Sequence, residues 1–191
     1  SISGIKNEEV SHGNSPLGTK SEANKGYVLS HYIIDKDVTL TTGEVIKAGS
    51  PVTKENLSKI IVKENIKVTA VYEIATYKVT YKTDENGTIT GIKEETKKYN
   101  ESPTGTTVTP SKNYELLKWT ADKEITLKDN TKIAKGDVIT EEEIKQIILE
   151  SDIILTAHHK KTTFTVYYKN EVGTNITGIL KEELKEGQNP K

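Results

Sequence analysis

The sequence predicts a tandem α+β protein, each unit a mixed β-sheet with one helix packed on it. Three observations lead there. Of 191 residues, 26 are Thr, 21 Ile and 13 Val, side chains that are stiff at χ1 and suit a pleated surface. The chain repeats itself without a gap at a step of 87 residues. Within each period, alternating apolar and polar positions give way once to apolar residues at helical spacing.

The repeat sets the frame. Ser1-Ile2-Ser3-Gly4-Ile5 returns as Thr88-Ile89-Thr90-Gly91-Ile92 and again as Asn175-Ile176-Thr177-Gly178-Ile179. The same step carries Tyr27 onto Tyr114, Asp35-Lys36 onto Asp122-Lys123, Ile60-Ile61 onto Ile147-Ile148 and Thr69-Ala70 onto Thr156-Ala157. Residues 1–75 match 88–162 at 25 of 75 positions. Two framings follow. If a unit opens at the strand 77–83, residues 1–75 are a first unit lacking its first strand. Residues 76–162 are then a complete second unit, and 163–191 the opening hairpin of a third. If a unit opens at the Ile-Ser-Gly-Ile segment, the units are 1–87 and 88–174 with a spare tail.

The middle copy shows the elements in order. Tyr77, Val79 and Tyr81 alternate with Lys78, Thr80 and Lys82, as in a half-buried strand. Asn86-Gly87 reads as a hairpin turn because both residues tolerate positive φ. Residues 88–97 return, with Gly91 as a bulge. The segment 101–112, with Pro103, Gly105 and Pro110, reads as a loop. A third strand follows at 114–119 and a short fourth at 124–127, turned by Asp129-Asn130. Thr140 and Glu143 form a capping-box pattern, and Ile144, Ile147 and Ile148 lie on one helical stripe. Thr53, Leu57, Ile60 and Ile61 repeat it. Asp152 closes the helix and 153–158 is the last strand. Strand, strand, strand, short strand, helix, strand suits tandem β-grasp-like units. Trp119 and its counterpart Tyr32 anchor the core, with Tyr27, Tyr114 and the helix stripe.

Composition excludes several classes. The net charge is −1 and Arg is absent, so a nucleic-acid-binding face is not expected. No apolar run approaches the ~18 residues of a membrane span. The absence of Cys removes disulfides, thiol nucleophiles and thiolate metal sites. The chain opens at Ser1 with neither initiator Met nor signal peptide, so it is expected to be a piece of something longer.

Certain residues together resemble a known family. These are Tyr77-Lys78-Val79-Thr80-Tyr81, Pro103 and Pro110, Asn113-Tyr114 followed by Trp119, and the closing Ile153-Ile154-Leu155-Thr156-Ala157. The pattern is similar to the internalin-B-type repeat, also called the Listeria–Bacteroides repeat. It covers 77–162 and, without the first strand, 26–75. The insert 128–150 is longer than that family's pattern. The resemblance implies tandem β-grasp-like modules in bacterial surface proteins, often acting as spacers.

Chemistry is sparse. His12, His31, His158 and His159 are the four histidines. Neighbouring strand residues point to opposite faces, so His158 and His159 do not readily share a metal, and their counterparts are Val71 and Tyr72. Asp35-Lys36-Asp37 and the carboxylates between Asp129 and Asp137 lack Ca-loop spacing and read as solvated turns. Glu141, Glu142 and Glu143 read as a helix start. No nucleophile–base pair and no phosphate loop is present. The expectation is therefore no catalytic, cofactor or metal residue, no cofactor, and no enzymatic activity.

The expected function is a structural spacer of an extracellular, cell-wall-attached adhesin, extending a distal binding domain. The alternative is that the repeats themselves bind a host protein or glycan, through exposed Thr faces or the non-recurring Tyr72, Tyr99 and Tyr167. Expected partners are neighbouring repeats, with no nucleic acid and no membrane insertion. Because 1–75 lacks the strand that 163–191 duplicates, head-to-tail pairing between chains is also expected.

Overall fold

The computed structural model describes residues 6–170 and 175–191. Residues 1–5, the first copy of the Ile-Ser-Gly-Ile segment, lie outside the described residues. The chain divides into two compact units, Ser1–Ala75 and Thr76–Lys191.

The first unit contains β1 (Tyr27–Ile34), β2 (Val38–Leu40), β3 (Val45–Ile46), β4 (Pro51–Val52), α1 (Lys54–Leu57), β5 (Ile60–Ile61) and β6 (Val68–Ile74). Two antiparallel three-stranded sheets form, in the orders β4-β1-β6 and β3-β2-β5. Their apolar faces enclose Tyr32, Ile34, Leu40, Val52 and Ile60.

The second unit runs β7 (Thr76–Thr83), β8 (Gly87–Ile89), β9 (Glu94–Lys98), β10 (Val108–Pro110), β11 (Tyr114–Ala121), β12 (Ile125–Leu127), β13 (Lys132–Ile133), α2 (Glu141–Ile144), β14 (Ile147–Ile148), β15 (Ile153–Lys161), β16 (Thr163–Tyr167) and β17 (Lys181–Lys185). Its main sheet has the order β11-β15-β7-β9, with β15 and β7 parallel and the other pairs antiparallel. A three-stranded sheet β13-β12-β14 shares one core with it, built on Trp119, Val79, Leu127, Ile147, Leu149 and Leu155. The Tyr81 and Trp119 rings meet edge to face at 6.1 Å, a favoured aromatic geometry. β8 pairs with β10, and β16 with β17.

The repeat is written in the hydrogen bonds. Gly49 N–H to Ile34 O recurs as Gly136 to Ala121, and Thr41 to Lys59 as Lys128 to Gln146. The carboxylates of Asp35 and Asp122 each accept the backbone N–H that opens the last strand, from Lys67 at 2.7 Å and Ile154 at 2.9 Å. Even the bulge recurs, between Leu29 and His31 in β1 and between Leu116 and Lys118 in β11.

The architecture corrects the expected fold class. The protein is mostly strand, in several small sheets, and the α+β, β-grasp-like unit with a helix packed on its sheet is not what forms. Both helices are four residues long. The expected caps are present: Thr140 closes a full capping box with Glu143, and Thr53 accepts from Asn56. Yet Lys145 ends α2, and Ile147–Ile148 leave it as a strand paired with Leu127 and Thr126. Apolar residues at i, i+3 and i+4 fit a single turn followed by a strand as well as they fit a helix. A single turn gains little from helix propagation, and β-branched Ile favours the ladder. Ile147 is therefore fully buried and Ile148 only half-buried. Asp152 closes no helix; its Oδ1 accepts the Lys78 N–H at 2.8 Å.

Other elements differ in detail. The return strand expected at 88–97 is two strands in different sheets, β8 and β9. Gly91, between them, is a close approach: a Cβ there would lie 2.7 Å from Thr107 N. Tyr27 is 46 % exposed rather than part of the core.

Candidate functional site

The four histidines are scattered in function as well as in position. His31 Nδ1 lies 3.2 Å from Ser30 Oγ on an exposed face, and His12 is exposed. His158 Nε2 lies 2.9 Å from Thr120 Oγ1 across the β11–β15 pair. His159 turns to the other face, as the strand pleat requires. Among the described residues, no three His, Cys, Asp or Glu side chains are grouped as metal ligands.

Among the described residues, Asp84 with His159 is the cluster that resembles a reactive constellation. Asp84 sits in the turn after β7, and its Oδ1 accepts the Asn86 N–H at 3.0 Å. His159, on β15, donates its backbone N–H to Asp84 Oδ2 at 2.7 Å and its Nδ1–H to Oδ1 at 2.8 Å. The Asp84 N–H in turn donates to Ala157 O at 3.1 Å. Burial raises the Asp84 pKa, but the bonds from His159 and Asn86 outweigh it and hold the carboxyl below its ordinary value.

The imidazole is fully buried, and its Nε2 has no hydrogen-bond partner. Gly87 explains the space. A Cβ at that position would stand 2.3 Å from His159 Cε1 and 2.6 Å from Nε2. The backbone of Gly87 is not in the left-handed region, so the glycine is needed for room rather than for conformation. With Nε2 enclosed, no substrate atom reaches it, and the pair acts as a clamp holding β15 to the β7 turn.

A second polar knot lies three residues earlier in the chain, at Tyr81 of β7. The Tyr81 hydroxyl donates to Glu95 Oε1 at 2.6 Å and accepts the Gly105 N–H at 3.0 Å. The same Glu95 oxygen accepts the Thr104 N–H at 2.8 Å. Burial and the Glu95 carboxylate both push the Tyr81 phenol above its usual range. Glu95 is held below its usual range, because these hydrogen bonds outweigh the opposing effect of burial.

The first unit keeps half of this knot. Glu8, the counterpart of Glu95, accepts Leu17 N–H at 2.6 Å and Gly18 N–H at 3.2 Å. Gly18 corresponds to Gly105, so Glu8 takes the bond that the Tyr81 hydroxyl takes in the second unit. The reason is an open edge. Among the described residues, only β1 pairs with β6, whereas β15 is paired on both sides. Val62, Ile66, Val68 and Ala70 are in consequence only partly buried. Their counterparts Leu149, Ile153, Leu155 and Ala157 are fully enclosed beneath β7.

One concavity is a shallow polar depression of about 310 Å³ lined by Thr104, Gly105, Thr106, Thr107, Glu141 and Lys145 beside Ile144. Glu141 is the only member of the Glu141–Glu143 run there, and it begins α2. Asp37 pairs with Lys47 at 2.7 Å, and Asp129 accepts the Thr131 N–H at 2.9 Å, as solvated turns do. Tyr167 is 64 % exposed, while Tyr72 and Tyr99 are partly covered.

The Asp84–His159 clamp has no counterpart at Tyr72 and was not legible beforehand. Its members stand 75 residues apart, with no local pattern linking them. Residues 77–163 match the family model described as the divergent InlB B-repeat domain. No curated protein and no solved structure matches the chain. This segment is thus an InlB-type repeat, a repeat domain of the kind found in surface proteins. No helix among the described residues is long and apolar enough to cross a membrane.

Proposed function

We propose that the chain is a non-enzymatic spacer of a bacterial cell-surface adhesin, extracellular and attached to the cell wall, which carries a distal binding domain outward. One observation supports this reading above the others. The two units retain the same backbone hydrogen bonds at matched positions while their exposed side chains diverge. Val28 stands where Glu115 does, and Thr41 where Lys128 does. A spacer requires a constant frame and separate cores, and a repeated array of such units lengthens without new contacts being designed. A ligand-binding repeat would instead keep a surface patch from copy to copy.

The test is binding of the full chain to immobilised host matrix proteins and glycans. The spacer reading expects no saturable binding at micromolar concentration. Saturable binding that one exposed substitution abolishes would replace it with the alternative, in which the repeats themselves grip the host.

A further inference from the structure

We propose that the β7–β15 pair is the tension-carrying joint of the second unit, resisting force applied along the chain. The two strands are parallel, with Ile153 opposite Val79, Leu155 opposite Tyr81 and Ala157 opposite Thr83. The chain enters the unit at Thr76, where β7 begins, and β15 ends at Lys161. Tension along the chain therefore draws β7 toward its start and β15 toward its end. Parallel neighbours pulled in this way slide lengthwise. Their evenly spaced, slanted ladder bonds then take the load together rather than one after another.

Both ends of this ladder carry an extra bond of one kind. Just before β15 begins, Asp152 Oδ1 accepts the Lys78 N–H at 2.8 Å. Just after β7 ends, Asp84 Oδ2 accepts the His159 N–H at 2.7 Å, and Oδ1 the imidazole Nδ1–H at 2.8 Å. In each case a carboxylate flanking one strand holds a backbone amide of the other. Such charge-assisted bonds are roughly twice as strong as neutral ones. Sliding separates both pairs, because Asp84 is drawn toward the start of β7 while His159 moves the opposite way. The clamp lies beyond the last paired position, Thr83 with Ala157, where it lengthens the sheared contact.

The joint is also sheltered. β7 and β15 are the two inner strands of the four-stranded sheet, flanked by β9 and β11. Val79, Tyr81, Ile153, Leu155 and Ala157 close one face of the ladder within the core. Water has no approach from that side to replace a stretched bond, and a hydrogen bond in such surroundings is electrostatically stronger than in water. The inference rests on the spacer reading for the source of the tension: a spacer fixed at one end and holding a bound target at the other is stretched along its chain.

The test is single-molecule stretching of the full-length protein through cysteine anchors, the chain having no Cys of its own. Thr76→Cys with Lys161→Cys shears the joint. Thr76→Cys with Glu150→Cys pulls on the leading ends of both strands and opens the ladder one bond at a time. All three anchor positions are exposed. The sheared unit gives way in one step, releasing about 28 nm at ~3.5 Å per residue less the folded span. It does so at a force about twofold above the peeling force, since the ladder bonds share the load. Asp84→Ala lowers the shearing force by about a third, from the greater strength of charge-assisted bonds, and leaves the peeling force unchanged, because peeling starts at the opposite end. A clamp that only stabilises the fold would lower both. Asp152→Ala, at the other end of the ladder, also lowers the shearing force. Equal forces in the two geometries overturn the proposal. So does a shearing force that neither substitution moves, or an Asp84→Ala chain weakened alike in both geometries. None of these results bears on the spacer reading, which the matrix-binding assay decides.

Discussion

Gly87→Ala is the sharpest probe of the clamp. The added methyl would enter space held by His159 Cε1 and Nε2 at 2.3 and 2.6 Å and by Thr83 Oγ1 at 2.9 Å. All three distances are shorter than real Cβ contacts, and the imidazole is enclosed, so it moves only by releasing Asp84. Overpacking of this kind costs roughly 1–3 kcal/mol, and loss of a hydrogen bond to a charged group roughly 1.5–3 kcal/mol. The two costs are alternatives, because a displaced imidazole relieves the clash. The expected loss is therefore about 2 kcal/mol, or about 8–16 °C in Tm for a unit of this size. The chain has a single Trp, and Trp119 lies in the core of the second unit, so its fluorescence in a urea titration reports on that unit alone. A second variant isolates the cause. In a His159→Ala background the methyl has room, and Gly87→Ala should then change the midpoint by less than about 0.5 kcal/mol. An equal loss in both backgrounds would show that the glycine acts through its backbone, and the steric account would fail.

Ile147→Ala should cost about 2–5 kcal/mol and Ile148→Ala well under half as much, since only the first side chain of β14 faces the core; equal losses in the same titration would restore a helix there. Acid should weaken the second unit. Asp84 and Glu95 are both depressed below ordinary values of 3.8 and 4.5, so their stabilisation is complete above those values and is lost as pH falls through the lower folded ones. Asp84→Asn should flatten this acid limb in urea midpoints measured from pH 6 downward, about 6 being a start well above both groups. Tyr81→Phe leaves the Gly105 amide without its acceptor and should cost about 1–3 kcal/mol, read again at Trp119.

Local patterns carried into the structure where neighbours alone decide conformation. The alternation at Tyr77, Val79 and Tyr81 is a strand, Thr140 caps a turn, and Asn130 makes its turn at a φ of 67°. The helix stripe misled because Ile144, Ile147 and Ile148 have the same spacing whether the chain coils on or straightens after Lys145. What decides is the tertiary partner, Leu127 in β12, twenty residues before Ile147. Gly87 was legible as a special position but for the wrong reason, since its backbone is ordinary and its neighbour His159 is remote in sequence. The clamp itself joins one turn to one distant strand, and no periodicity encodes such a pair.

The matched hydrogen bonds have a consequence for how such proteins change length. Val62 exchanges bonds with Gly13 and Asn14, and Leu149 with Asn100 and Glu101, in the same sense. At these positions residue i and residue i + 87 are thus interchangeable as donors and acceptors. A chain cut after Ile61 and rejoined at Leu149 would present the same amide and carbonyl to Gly13 and Asn14. Unequal recombination within the gene could therefore delete or duplicate one period at this point without disturbing the backbone frame. Length can then change by a whole period, while Trp119 and Tyr32 still fill the core of each unit.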